Sequence, residues 1–220
     1  MLRLAALLLA LSTSLSIAGT QNYQCFYASG KTAIAGCTKA LTSKKLLPIE
    51  KFSIFQRRGS LNMEAKYFRL AVRDYQLAID TGFATPADFR ELGIAQWWLN
   101  KLPEAETAIQ EAVKRAPDNL LYKSDLVTLL HQMGENEVAL ALLQSVLAEN
   151  PFNADYLYKT GYQLNDMGRH EEALALLKKA SVYDRENPEV WDELAYSHRK
   201  QKEFDAALQA QAKAINYDVK

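Results

Sequence analysis

Apolar and polar positions alternate at helical spacing along most of the chain, as in Ala139, Leu140, Leu143, Val146 and Leu147, where intervals of three and four residues place the apolar groups on one face. A longer period lies over this pattern. Ala71, Ala105, Ala139, Ala173 and Ala207 recur every 34 residues. A second series runs at Ala78, Ala112, Val146, Ala180 and Ala214, and a third at Gly59, Gly93, Val127, Gly161 and Ala195. Small side chains at three constant phases predict two helices per repeat that cross too closely for larger residues. Strand-length β-branched runs are almost absent, so the expected protein is nearly all helix.

Helix breakers punctuate the same period. Pro117-Asp118-Asn119, Pro151-Phe152-Asn153 and Asn187-Pro188 separate units, while Gly134 and Gly168 mark turns between paired helices. The expected units are residues 52–85, 86–119, 120–153, 154–187 and 188–220.

Composition narrows the function classes. Hydrophobic residues make up 49% of the 220, ample for a core, and 26 basic side chains balance 26 acidic ones. No basic stripe stands out, so net charge points to neither nucleic acid nor an anionic membrane surface. The first 18 residues differ from the rest: Arg3, an apolar run from Leu4 to Leu11, and small residues up to Ala18 resemble a cleavable secretory signal. Ser12, Thr13, Ser14 and Ser16 interrupt the run well short of the ~20 apolar residues that span a bilayer, so no membrane insertion is expected after cleavage. The mature chain is then expected to be soluble and extracytoplasmic, for example periplasmic. Cys25 and Cys37 suit an oxidising compartment and flank a turn-like Ala28-Ser29-Gly30, which points to a structural disulfide. Two thiols lack the further ligands of a zinc site, and their spacing is not that of a redox pair.

Counted from the first residue of each unit, one unit carries Phe89, Leu92, Gly93, Ala105, Ile109, Ala112 and Pro117, and the last carries Trp191, Leu194, Ala195, Ala207 and Ala214. In this pattern the chain resembles the tetratricopeptide repeat family, whose fold is all-α: a right-handed α-solenoid of stacked helix-turn-helix repeats. Lys123 stands where an aromatic is usual, Arg58 and Thr160 replace Leu, Val127 replaces a small residue and Arg185 replaces Pro; these departures are expected to loosen single units. Upstream, Ala33, Ile34, Cys37 and Ala40 continue the pattern in part, so residues 19–51 read as a degenerate N-terminal repeat and junction, similar to the first repeats of exported bacterial members.

The resemblance implies a function in recognition, with the first helix of each unit lining a concave groove. Carried over by position, the lining includes Arg90, Ile94, Trp97, Ser124, Thr128, His131, Tyr158, Tyr162, Asn165, Tyr196 and Arg199. One of Trp97 and Trp98 is expected to pack between helices and the other to face outward. Such a lining suits an extended peptide or an inserted helix of a protein partner. The Lys and Asn clamp by which some members grip a terminal carboxylate is absent: its places hold Gln56 and Ser60 in the first unit and Arg90 and Ile94 in the next. At the other end, Leu208 and Ile215 occupy places that would cover a following unit, and they define an alternative reading, a weak homodimer or scaffold.

Enzymatic chemistry is not expected. His131, His170 and His198 lie in three units at unrelated phases, and no HExxH, phosphate-cradling loop or Gly-x-Ser-x-Gly turn occurs. Nothing calls for a cofactor or a metal.

Overall fold

A computed structural model describes residues 23–218, and the expected signal segment, residues 1–18, lies outside them. The described residues fall into two compact units that divide after Tyr122. All regular structure in them is helical. In the first unit residues 23–27 form α1, followed by α2 (Gly30–Ala40), α3 (Pro48–Glu64), α4 (Phe68–Asp80), α5 (Pro86–Trp98) and α6 (Leu102–Arg115). The division falls within α7 (Leu120–Met133). The second unit continues through α8 (Asn136–Glu149), α9 (Ala154–Asp166), α10 (His170–Tyr183), α11 (Pro188–Lys200) and α12 (Phe204–Asp218).

Local signals set the helix ends. Asn119, Asn153 and Asn187, again 34 apart, accept bonds from the backbone N–H of Tyr122, Tyr156 and Val190, and so satisfy donors that a helix start leaves open. Within each pair the chain reverses through a left-handed residue at Lys66, Asn100, Gly134, Gly168 and Lys202. The next residue's N–H then reaches back five places, as Arg169 does to the Leu164 carbonyl at 2.8 Å. Helix α3 begins at Pro48, one turn ahead of residue 52, so the end of the expected junction is helical. Proline suits that first position, and Glu50 accepts the Leu47 N–H at 2.8 Å.

The small residues do what their spacing implied. Ala71, Ala105, Ala139 and Ala173 are fully buried and Ala207 nearly so. A Cβ added at Gly93 would fall 2.5 Å from Ile109, and one at Gly161 would fall 2.5 Å from Leu177. In the second unit the core is aliphatic, with Leu140, Leu157, Leu164, Leu174 and Leu177 packed around Ala173 and Ala180. Fully burying each such leucine contributes about 1.5–3 kcal/mol.

The first unit is held differently. Cys25 and Cys37 form a disulfide that fastens α1 to α2. Arg58, read from sequence as a loosening departure, instead donates from Nε and Nη2 to both carboxylate oxygens of Asp74 at 2.9 and 2.6 Å. Asn62 adds a third bond to Asp74 at 2.9 Å, so this buried carboxylate is compensated by charge and by hydrogen bonds. The second unit has its own departures from the family pattern: Lys123 is likewise buried, with Nζ 3.5 Å from Glu149. Thr160 turns its hydroxyl back onto the Tyr156 carbonyl at 2.7 Å.

Candidate functional site

In the second unit the residues singled out from sequence converge on α7 and α9. Each stands where the 3.6-residue period brings it to the same helix face: Thr128 and His131 on α7, Tyr158 and Tyr162 on α9. With Val127, Lys159 and Gln163 they wall a cleft of about 130 Å³. The Tyr158 and Tyr162 ring centroids lie 6.5 Å apart, and His131 meets Tyr162 edge-on at 5.7 Å. Tyr158 is half-buried, and loss of hydration, followed by the nearby Glu193 and Glu189 charges, pushes its hydroxyl up to about 12. It is therefore a neutral hydrogen-bonding group at any physiological pH.

Polar groups pin the cleft walls. Lys159 donates to the Ser124 hydroxyl and to Asp155, both at 2.7 Å, and Thr128 donates to the Ser124 carbonyl at 3.0 Å. Gln163 holds Asn136 of α8 at 3.1 Å. His131 Nδ1 is buried without a hydrogen-bond partner, and Asp166 lies 4.0 Å away, beyond hydrogen-bond reach. Val127, Lys159 and Gln163 were missed as lining residues because family position marks the exposed helix face and not the shoulders of its neighbours.

Asn165 departs from expectation. It is only 3% exposed and serves as a structural connector. Its Nδ2 donates to the Glu193 carboxylate at 2.8 Å, and its Oδ1 accepts from the Ser197 hydroxyl at 2.8 Å and faces His170 Nδ1 at 3.1 Å. The side chain joins α9, α10 and α11 and is not available to a ligand. Tyr196 packs edge-on against His170 at 5.7 Å, with Arg199 and Lys200 over its face at 6.0 and 5.2 Å.

In the first unit Arg90, Ile94 and Trp97 lie on α5 and are partly buried. Arg90 pairs with Glu91 at 2.7 Å. The outward indole is Trp98, 67% exposed and stacked on Phe68 at 5.4 Å, while Trp97 is the more buried of the two. On α12, Leu208 and Ile215 are 70% and 59% exposed and share a face with exposed Phe204. Among the described residues, no helix is long and apolar enough to cross a membrane. The histidines are dispersed: His170 contacts Asn165, and His198 contacts Glu203.

Helix pairs with small residues at their crossings, reversed by one left-handed residue and repeated every 34 positions, define a helical repeat protein of the recognition type. The family model "Tetratricopeptide repeat" matches residues 90–154, 124–181 and 158–218, which together span more than half of the chain. The chain belongs to the tetratricopeptide repeat family. Among solved structures it is similar to "MamA 41-end from Desulfovibrio magneticus RS-1", 18% identical with a TM-score of 0.68 over 77% of this chain and 96% of that one. It is also similar to "MamA MSR-1 C2", 23% identical with a TM-score of 0.61 over 76% of this chain and 97% of that one. These likenesses are of fold. No curated protein matches the sequence.

Proposed function

We propose that this protein is a non-enzymatic interaction module of the cell envelope that binds a peptide segment or partner protein. The observation that carries the reading is the cleft formed by His131, Tyr158 and Tyr162. It is an aromatic surface with rigid, pinned walls, and such anchors supply binding energy at low entropic cost. Arg90, Ile94 and Trp97 occupy the corresponding family positions of the first unit, and Tyr196 and Arg199 those of the last repeat. Export is supported by the signal-like residues 1–18 and by a disulfide compatible with an oxidising compartment. Residues 19–51 are read as the degenerate first repeat and residues 52–220 as five repeats.

The test is a crosslinking capture from the native cell envelope, comparing wild type with the Tyr158→Ala, Tyr162→Ala double variant. A defined partner lost in the variant, with circular dichroism unchanged, is the expected result. A partner retained at wild-type level would sink the cleft as the recognition surface.

The exposed Phe204, Leu208 and Ile215 support a second reading, a scaffold that self-associates through α12. It requires that Leu208→Asp with Ile215→Asp lower the solution mass in sedimentation. A mass equal to one chain in both forms would dismiss it.

A further inference from the structure

A repeat scaffold needs a bulky residue opposite the small one at each helix crossing. In two crossings it is aliphatic: Ile109 covers Gly93 and Leu177 covers Gly161. Sixteen residues after Gly59 the chain instead has Tyr75. Its ring lies on that glycine, with the hydroxyl-bearing ring carbon 3.1 Å from where a Cβ would stand. The glycine lets the phenol of α4 cross α3, so that Tyr75 joins the wall of a cavity of about 630 Å³ on the α3 and α5 side of the first unit.

Tyr75 is only 2% exposed, and its phenol lines the cavity wall. A packing role alone would be met by an aliphatic side chain, as at the other two crossings, whereas the phenol adds a hydroxyl-bearing ring to the cavity wall. Burial and the surrounding Glu91, Asp88, Asp74 and Glu64 charges push the phenol well above its ordinary range, so it remains a neutral donor and acceptor.

The cavity is electrically two-ended. Arg57 of α3 lines it and leans toward α1, where its Nε lies 3.5 Å from the Cys25 carbonyl, near Phe26. Asp88 and Glu91 line it from α5. Asp88 is held by Gln56 at 2.7 Å and by the Thr85 N–H and hydroxyl at 2.8 Å, and Glu91 is paired with Arg90. The Ser60 and Tyr75 hydroxyl-bearing side chains complete the wall. The volume falls within the range of about 300–1,000 Å³ usual for small-molecule sites and differs in chemistry from the aromatic cleft on α7 and α9.

We propose that this cavity binds a small zwitterion, a free α-amino acid. Its carboxylate faces Arg57, its ammonium faces Asp88 and Glu91, and Tyr75 hydrogen-bonds between them. The site is independent of partner docking on the second unit.

The experiment titrates residues 19–220 calorimetrically with the free L-α-amino acids, then with the N-acetyl and amide forms of the tightest one. The expected result is a millimolar or tighter complex that weakens about tenfold or more when either end is blocked. Tyr75→Phe, which keeps the ring, and Arg57→Gln, on the cavity wall, should each weaken it to a similar extent with an unchanged melting midpoint. If Tyr75→Phe does not fold, Arg57→Gln decides. Absence of binding by every amino acid overturns the proposal, as does affinity that survives blocking of either end or survives Arg57→Gln.

Discussion

The two units share one repeat frame but hold it together by different means. In the second unit leucines close over Gly161 and Ala173, and a connected polar group of Asn165, Glu193, Ser197 and His170 fixes how α9, α10 and α11 meet. The first unit relies on a covalent clasp at Cys25 and Cys37 and on the Arg58, Asn62 and Asp74 cluster, with a phenol at the crossing where the second has leucine. Small residues at the crossings are therefore the constant part of the design. What lies opposite them is free to vary, as Leu177 over Gly161 and Tyr75 over Gly59 show, and the second of these also lines a cavity.

The sharpest way to break this contrast is Asp74→Ala. Arg58 keeps only 16% side-chain exposure and would lose its counter-charge, so a destabilisation of about 3 kcal/mol or more is expected in chemical denaturation. The loss should be confined to the first unit, seen as reduced hydrogen-exchange protection in α3 and α4 with α9 to α11 unchanged. Equal loss in both units would show that they do not differ in the way described.

Removing the clasp by Cys25→Ala with Cys37→Ala comes next. The bond closes a short loop, 12 residues apart in sequence, so the loss should be at most about 3 kcal/mol and should appear first as fraying of α1 and α2. Reduction of the wild-type protein should reproduce the effect. An unchanged midpoint would mean that packing of Ala33 and Ala40 alone holds this end.

The smallest expected effect has the opposite sign. Burial raises the Glu193 carboxyl above its ordinary range, only partly opposed by the bond from Asn165. A carboxyl raised in the folded state favours stability below its unfolded pKa and loses that contribution as pH rises through the folded value. Glu193→Gln keeps an acceptor for Asn165 without the buried charge. It should raise the melting midpoint slightly at neutral pH, with the gain vanishing in acid. A lower midpoint at neutral pH would show that the charge itself supports the network.

The repeat was legible because its determinants are local or strictly periodic. Alanine and glycine at constant phase report helix crossings wherever they recur, and asparagine before a helix reports a start. Arg58 shows the limit of such reading. Against a family pattern it looks like a flaw, and only Asp74, on the next helix, makes it a bond. Asn165 shows the same limit at the candidate site: its register is that of a lining residue, but Glu193 and Ser197 from another helix draw it inside.

The sequence by itself determined the all-helical class, the 34-residue period, the positions that must stay small and a cysteine pair suited to bonding, because each follows from spacing along one chain. Tertiary structure alone decided that Trp98 and not Trp97 stands outward, that Asn165 is a connector and that Tyr75 crosses over Gly59 into a cavity. These outcomes depend on which side chains from neighbouring helices compete for the same space and the same hydrogen bonds, and no periodicity records that competition.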